Sequence, residues 1–150
     1  MPRRASLFVL LAIAFSTLSA PACAQSREYI GGRSASDEDA APFSGAVKVG
    51  NTLYISGSLG LDPGQPVPAT PEAEARNVLD NIKATLEAAG MTMDDLVSVQ
   101  IYCSDVSYYD AFNAVYRTYF TQEYPARAFL GSGDLLFGAR FEVMGIAVER

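Results

Sequence analysis

Residues 124–149 read YPARAFLGSGDLLFGARFEVMGIAVE, and the fold turns on how this stretch is read. It holds two runs of β-forming residues, 127–131 and 140–148, separated by a segment rich in glycine. Apolar residues occupy both faces of the second run, with Phe141, Val143 and Ala147 on one side and Met144, Ile146 and Val148 on the other. A single layer of helices covers one such face and leaves the other wet, so association with another chain is expected. Two charges stand where burial favours aliphatic residues: Arg127 opens the first run and Glu142 interrupts the second. An unpaired buried charge is costly, so they form an internal ion pair or they hold something from outside. An arginine fork matches a carboxylate and stays charged at any physiological pH. Glu142 alone would cost little on a strand near a sheet edge with its carboxylate outward.

Upstream, residues 46–57, AVKVGNTLYISG, place two β-rich segments around Gly50 and Asn51, a pair suited to the positive φ angles of a tight hairpin. Residues 61–69 are crowded with Pro and Gly and read as loop. Thr70 caps a helix with Pro71 at its first position, Glu72 and Glu74 complement its dipole, and Gly90 ends it. Its apolar stripe is Ala75, Val78, Leu79, Ile82 and Leu86. Over residues 97–103 the pattern alternates, with Val97, Val99, Ile101 and Cys103 on one face of a strand. Ser107 and Asp110 resemble a capping box opening a second helix lined by Tyr108, Phe112, Val115, Tyr116 and Tyr119, which Pro125 prevents from continuing. That aromatic stripe reads as core, not as a ligand cage. The order is β-β-α-β-α-β-β, an α+β sheet with two helices packed on one face, preceded by a brief strand around Tyr29 and Ile30.

The first 24 residues have the three parts of a secretory signal: Arg3 and Arg4, an apolar run over 7–15, and Ala22 and Ala24 before a cut. The run is too short to span a bilayer. Cleavage after Ala24 predicts one domain over residues 25–150, periplasmic or secreted, with no membrane contact once the signal is gone. The leader holds two of the eleven basic residues and none of the seventeen acidic ones, which leaves nine against seventeen and a net charge of −8. That balance argues against nucleic acid, whose binding relies on concentrated Lys and Arg. With no histidine, and Cys103 alone after cleavage, no intramolecular disulfide forms and no metal site is expected. The acidic run at 37–39 lacks the ligand spacing of a calcium loop and reads as a solvated charge run.

Other chemistry-bearing residues are weak unaided. Cys103 has no histidine to make a thiolate, and Ser56 has no base to activate it. Gly131 and Gly133 are too few for a dinucleotide fingerprint. Asn113 could point into a site or merely cap.

Taken together, PFSGAVKVGNTLYISGSLGLDP, ARNVLDNIKATLEAAGMTMDDLVSVQIY, YDAFNAVYRTYF, YPARAF and FEVMGIAVER resemble the RidA/YjgF family of enamine/imine deaminases over nearly all of residues 29–150. The resemblance implies a chorismate-mutase-like α+β fold, assembled as a homotrimer with active sites between subunits. It implies that Arg127 grips a substrate carboxylate and that Glu142 positions a water for attack on an imine carbon. Ser56, Asn113 and Phe43 then line the pocket, and a carbonyl near Phe129 takes the imine N–H. The implied reaction hydrolyses a 2-imino or 2-enamino acid to a 2-keto acid and ammonia, and it needs no cofactor. The chain departs from the family pattern at Phe43, where tyrosine is usual, and at Phe129, where cysteine is usual. Ser58 and Met144 replace a glutamine and a glutamate. Phe43 and Phe129 also suit a rival reading, a non-catalytic trimeric module that binds small carboxylates. A purely structural trimer is the third reading.

Overall fold

A computed structural model describes residues 26–32, 36 and 41–150; the expected leader and the acidic run at 37–39 lie outside them. The strands are Arg27–Ile30 (β1), Ala46–Val49 (β2), Thr52–Leu59 (β3), Leu96–Cys103 (β4), Ala126–Gly131 (β5) and Phe141–Val148 (β6), and the helices Pro71–Ala88 (α1) and Tyr109–Tyr116 (α2). The strands make one sheet in the order β1-β2-β3-β6-β4-β5. The expected element order holds, and the brief first strand joins the sheet as its edge, with Ile30 opposite Ala46. β4 and β5 run parallel, joined through α2, and the other neighbours run antiparallel.

Local chemistry fixes α1 at both ends. The Thr70 hydroxyl accepts from the Ala73 amide at 3.2 Å, which satisfies one of the free N–H groups of the first turn. Gly90 beyond the last turn takes φ +75, a conformation that costs glycine nothing. Between these ends the stripe of Ala75, Val78, Leu79, Ile82 and Leu86 is buried against β3 and β6. Each of the larger side chains contributes about 1.5–3 kcal/mol by leaving water.

Several expectations need correction. Val97 does not share the face of Val99 but is 47 % exposed. Leu96 pairs with Ala147 and Ser98 with Ile146, so Val97 is an extra residue in a bulge, which throws the alternation out by one. Leu96 takes its buried place. The cap is not Ser107 but Asp105, whose carboxylate accepts from the Ser107 amide at 2.8 Å and opens a short 3₁₀ turn, Val106–Tyr108, that leads into α2. The hairpin between β2 and β3 has positive φ at Gly50 only, the pattern of a turn with glycine first. Glu142 lies on no edge strand, because β6 sits in the middle of the sheet between β3 and β4.

Both helices cover one face of the sheet. Phe141, Val143 and Ala147 of β6 are buried there, and Phe141 packs on Phe112 of α2 with ring centroids 4.8 Å apart. The opposite face carries exposed Tyr54, Val97 and Leu130 beside half-buried Met144, Ile146 and Val148. No part of the described chain packs over it as a second layer.

Candidate functional site

Arg127 lies on edge strand β5, and its side chain turns toward α2. Its Nη1 donates to the Asn113 Oδ1 at 2.7 Å, and Asn113 is itself only 8 % exposed. The guanidinium lies 4.8 Å from the centroid of the Tyr116 ring and 5.9 Å from that of Tyr109. A cation over aromatic faces is attracted by their quadrupoles, and the stacking fixes the plane of the fork. Tyr116 is thus a core residue, as its place in the stripe predicts, and also a seat for Arg127. The sequence does not mark Tyr116 as part of a site, because a helical aromatic stripe carries no sign of what crosses it from a distant strand. The Tyr116 hydroxyl is buried without a hydrogen-bond partner among the described residues, and burial pushes its pKa up to about 12, so the phenol stays neutral. Phe129 lies beyond Arg127 on the same face, edge-on to Tyr109 at 5.0 Å and to Phe112 at 5.8 Å. Its ring is therefore part of the packing beneath Arg127.

Glu142 projects from the other face of the sheet. Register makes this plain: Arg127 pairs with Val99 of β4 and Glu142 pairs with Tyr102, an odd number of residues away. The carboxylate rests against Gly57, where any Cβ would collide with Oε1. Gly57 and Ser56 form a bulge in β3, since Ile55 pairs with Gly145 and Ser58 with Val143. The Ser56 hydroxyl donates to the Ser44 carbonyl at 2.7 Å and its amide to the Gly45 carbonyl at 3.0 Å, tying down the segment that carries Phe43. Phe43, Ser56, Gly57, Glu142 and Met144 line one groove of about 1220 Å³, together with the loop residues Leu136 and Phe137.

The sequence candidates therefore fall into two half-sites on opposite faces. Asn113, Arg127 and Phe129 form one, and Phe43, Ser56 and Glu142 form the other. An internal Arg127–Glu142 ion pair is excluded, and neither residue takes part in any ion pair among the described residues.

The buried ion pair of this chain is a different one. Glu74, expected as a dipole complement on α1, is completely buried. Its Oε2 accepts from Arg140 Nη1 at 2.7 Å, and its Oε1 accepts from the amides of Arg140 and, at 3.1 Å, Phe141. Arg140 also donates to the Pro68 carbonyl at 2.9 Å, and its hydrogen bond to Glu74 raises its pKa further. This clamp ties α1 to the first residues of β6, immediately before Glu142. Cys103 is buried as expected; its thiol meets the Asp105 carbonyl at 3.0 Å, and burial pushes its pKa up.

A six-stranded sheet with two helices on one face, an arginine seated on α2 and a carboxylate in a β-bulge groove defines a small α+β protein with a divided polar site. The family model described as Endoribonuclease L-PSP matches residues 34–149. The chain is 42 % identical over 110 residues to the 2-iminobutanoate/2-iminopropanoate deaminase of Capra hircus, covering 72 % of this chain and 80 % of that one. Among solved structures, RidA from the Antarctic bacterium Psychrobacter sp. PAMC 21119 superposes with a TM-score of 0.68 at 38 % identity, over 72 % of this chain and 89 % of that one. E. coli TdcF with bound serine superposes with a TM-score of 0.70 at 27 % identity, over 74 % and 91 %. The chain belongs to the RidA/YjgF family.

Proposed function

We propose that this protein is an imine deaminase, hydrolysing 2-imino acids and their 2-enamino tautomers to 2-keto acids and ammonia, in a site assembled between two copies of the chain. What carries the reading is the pairing of an open arginine fork with an unpaired carboxylate in a groove, in a chain whose relatives bear the deaminase name. That these groups lie on opposite faces supports a site shared between copies: Arg127 of one meets Glu142 of another. A homotrimer closed over the bare sheet face meets that need and covers its apolar residues.

In this scheme Arg127 binds the substrate carboxylate through the N–H groups that Asn113 leaves free. The carbonyl of Phe129 accepts the imine N–H and fixes which face of the carbon is presented. Glu142 accepts a proton from a water as its oxygen bonds to the imine carbon, and the C=N π electrons move onto nitrogen. The proton passes to that nitrogen, giving a carbinolamine; Glu142 then takes the hydroxyl proton and passes it to the amino group as the C=O forms and the C–N bond breaks, so ammonia leaves behind a keto group. The imine is already electrophilic, so positioning and proton transfer suffice. Supply of substrate outside the cytoplasm goes with the export expected from the leader, and an amino-acid-oxidising enzyme in the same compartment is the matching source.

The rival, a binding module for stable small carboxylates, draws on Phe43, which brings no hydroxyl to the groove, and on the serine bound in TdcF. One experiment separates them. Imino acid is generated in place by an amino-acid oxidase, and keto-acid release is timed with wild type and Arg127→Ala. The deaminase reading expects acceleration that Arg127→Ala abolishes; equal rates with and without protein, beside calorimetric binding of a 2-keto acid, support the module.

A further inference from the structure

We infer that the site takes 2-imino acids with large apolar side chains, aromatic or branched aliphatic, in preference to the smallest members of the class. The inference rests on the reaction proposed above and names its substrate.

The groove around Glu142 is walled by Phe43, Leu61, Val67, Leu136, Phe137 and Met144. Its charged lining residues are Glu142 and Asp62, both acidic, with no lysine or arginine. The groove therefore repels a carboxylate and leaves it to Arg127. What remains of the substrate to meet these walls is its side chain, and an acidic side chain is disfavoured for the same reason.

Phe137 gives the sharper sign. It is the one non-glycine residue with positive φ among the described residues, at +60, and it is 80 % exposed with no aromatic partner among them. A phenylalanine in the left-handed region carries strain, and a bare ring adds the cost of apolar surface in water. Nothing among the described residues offsets either. Leu136 at 67 % and Phe43 at 61 % exposure flank the same groove, so three large apolar side chains are held out at its rim. A substrate methyl group has too little surface to bury three such side chains. A phenyl or isobutyl group has more apolar surface to set against these shared walls, and exchanges exposed apolar surface for contact on both partners.

The test has a kinetic and a binding arm. In the first, imines are generated in place from phenylalanine, leucine, alanine and glutamate by amino-acid oxidases, and kcat/KM is compared. Phenylalanine- and leucine-derived imines should exceed the alanine-derived one by about tenfold or more, with the glutamate-derived one poorest. In the second, calorimetry compares phenylpyruvate with pyruvate, and the same order is expected in Kd. Phe137→Gly suits the backbone at φ +60 without strain, so the fold is kept while the ring is lost. It should bring both ratios down toward unity and leave the thermal midpoint at or above that of wild type. Equal kcat/KM for all imines, a preference for the alanine-derived one, or ratios untouched by Phe137→Gly overturn the inference. So does a fall in midpoint with loss of assembly, because the ring then packs against another copy. Phe137-dependent preference for phenylpyruvate without turnover of any imine leaves the side-chain inference standing and removes the proposed reaction.

Discussion

Replacing Glu74 by alanine tests the clamp that sets the start of β6. The completely buried carboxylate accepts from two backbone amides and from Arg140 Nη1. Without it the Phe141 amide, in the buried core, loses its partner at a cost of about 1–3 kcal/mol, and the Arg140 amide loses one as well. The Arg140 guanidinium loses its counter-charge but keeps the Pro68 carbonyl at 2.9 Å and 23 % exposure, which softens its share. The total expected for Glu74→Ala is about 3–4 kcal/mol, within the range for breaking a buried pair from one side. Glu74→Gln keeps one acceptor oxygen for the amides but turns an NH₂ toward either Arg140 or the backbone, so about half that loss is expected. Urea denaturation at fixed protein concentration measures both; with a slope of about 2 kcal/mol/M the alanine variant's midpoint falls by roughly 1.5–2 M. A loss below about 1 kcal/mol for Glu74→Ala would refute the reasoning, since the amides would then have found other partners at little cost.

Three further outcomes are expected. Glu142→Gln keeps the shape of the groove but cannot take a proton from water, so kcat falls by about 10²–10⁴ while KM changes little; a change confined to KM would remove the proton-transfer role. Cys103, buried and with its pKa raised above 9.0 by loss of solvation, should resist iodoacetamide at pH 8 in the native protein and react only in denaturant; rapid native labelling contradicts this. Hydrogen bonds from Thr121 hold the half-buried Asp94 carboxyl below its ordinary 3.8. A depressed carboxylate contributes stability that is present above 3.8 and disappears as pH falls through the native value. The urea midpoint of Asp94→Asn should therefore lie below that of wild type at pH 6, with the gap closing in more acid solution; a gap independent of pH contradicts the assignment.

What the sequence disclosed was whatever is settled within a few residues. Thr70, Pro71 and Gly90 punctuate α1 by their own backbone chemistry, and the stripe from Ala75 to Leu86 needs only the helical period. The bulge at Val97 escaped because its cause lies in the partner strand, where Leu96 and Ser98 face consecutive residues of β6. Glu74 looked like a helix-dipole residue because its partner stands 66 residues away. The candidate site was legible in its residue types, and residue types alone could not assign faces. Arg127 and Glu142 belong to different strands, and only their register against β4 puts Val99 beside one and Tyr102 beside the other. The seat that Tyr109 and Tyr116 give Arg127 was hidden for the same reason.

The claim that the two half-sites meet between copies has a direct test in mixed assemblies. Arg127→Ala and Glu142→Gln, each expected to be inactive alone, are denatured together in equal amounts, refolded and assayed for keto-acid release from an imine generated in place. Random assembly joins an intact Arg127 half to an intact Glu142 half in about one site in four, so roughly a quarter of wild-type activity is predicted. A mixture as inactive as its components, with mixed oligomers shown by mass, would contradict the account.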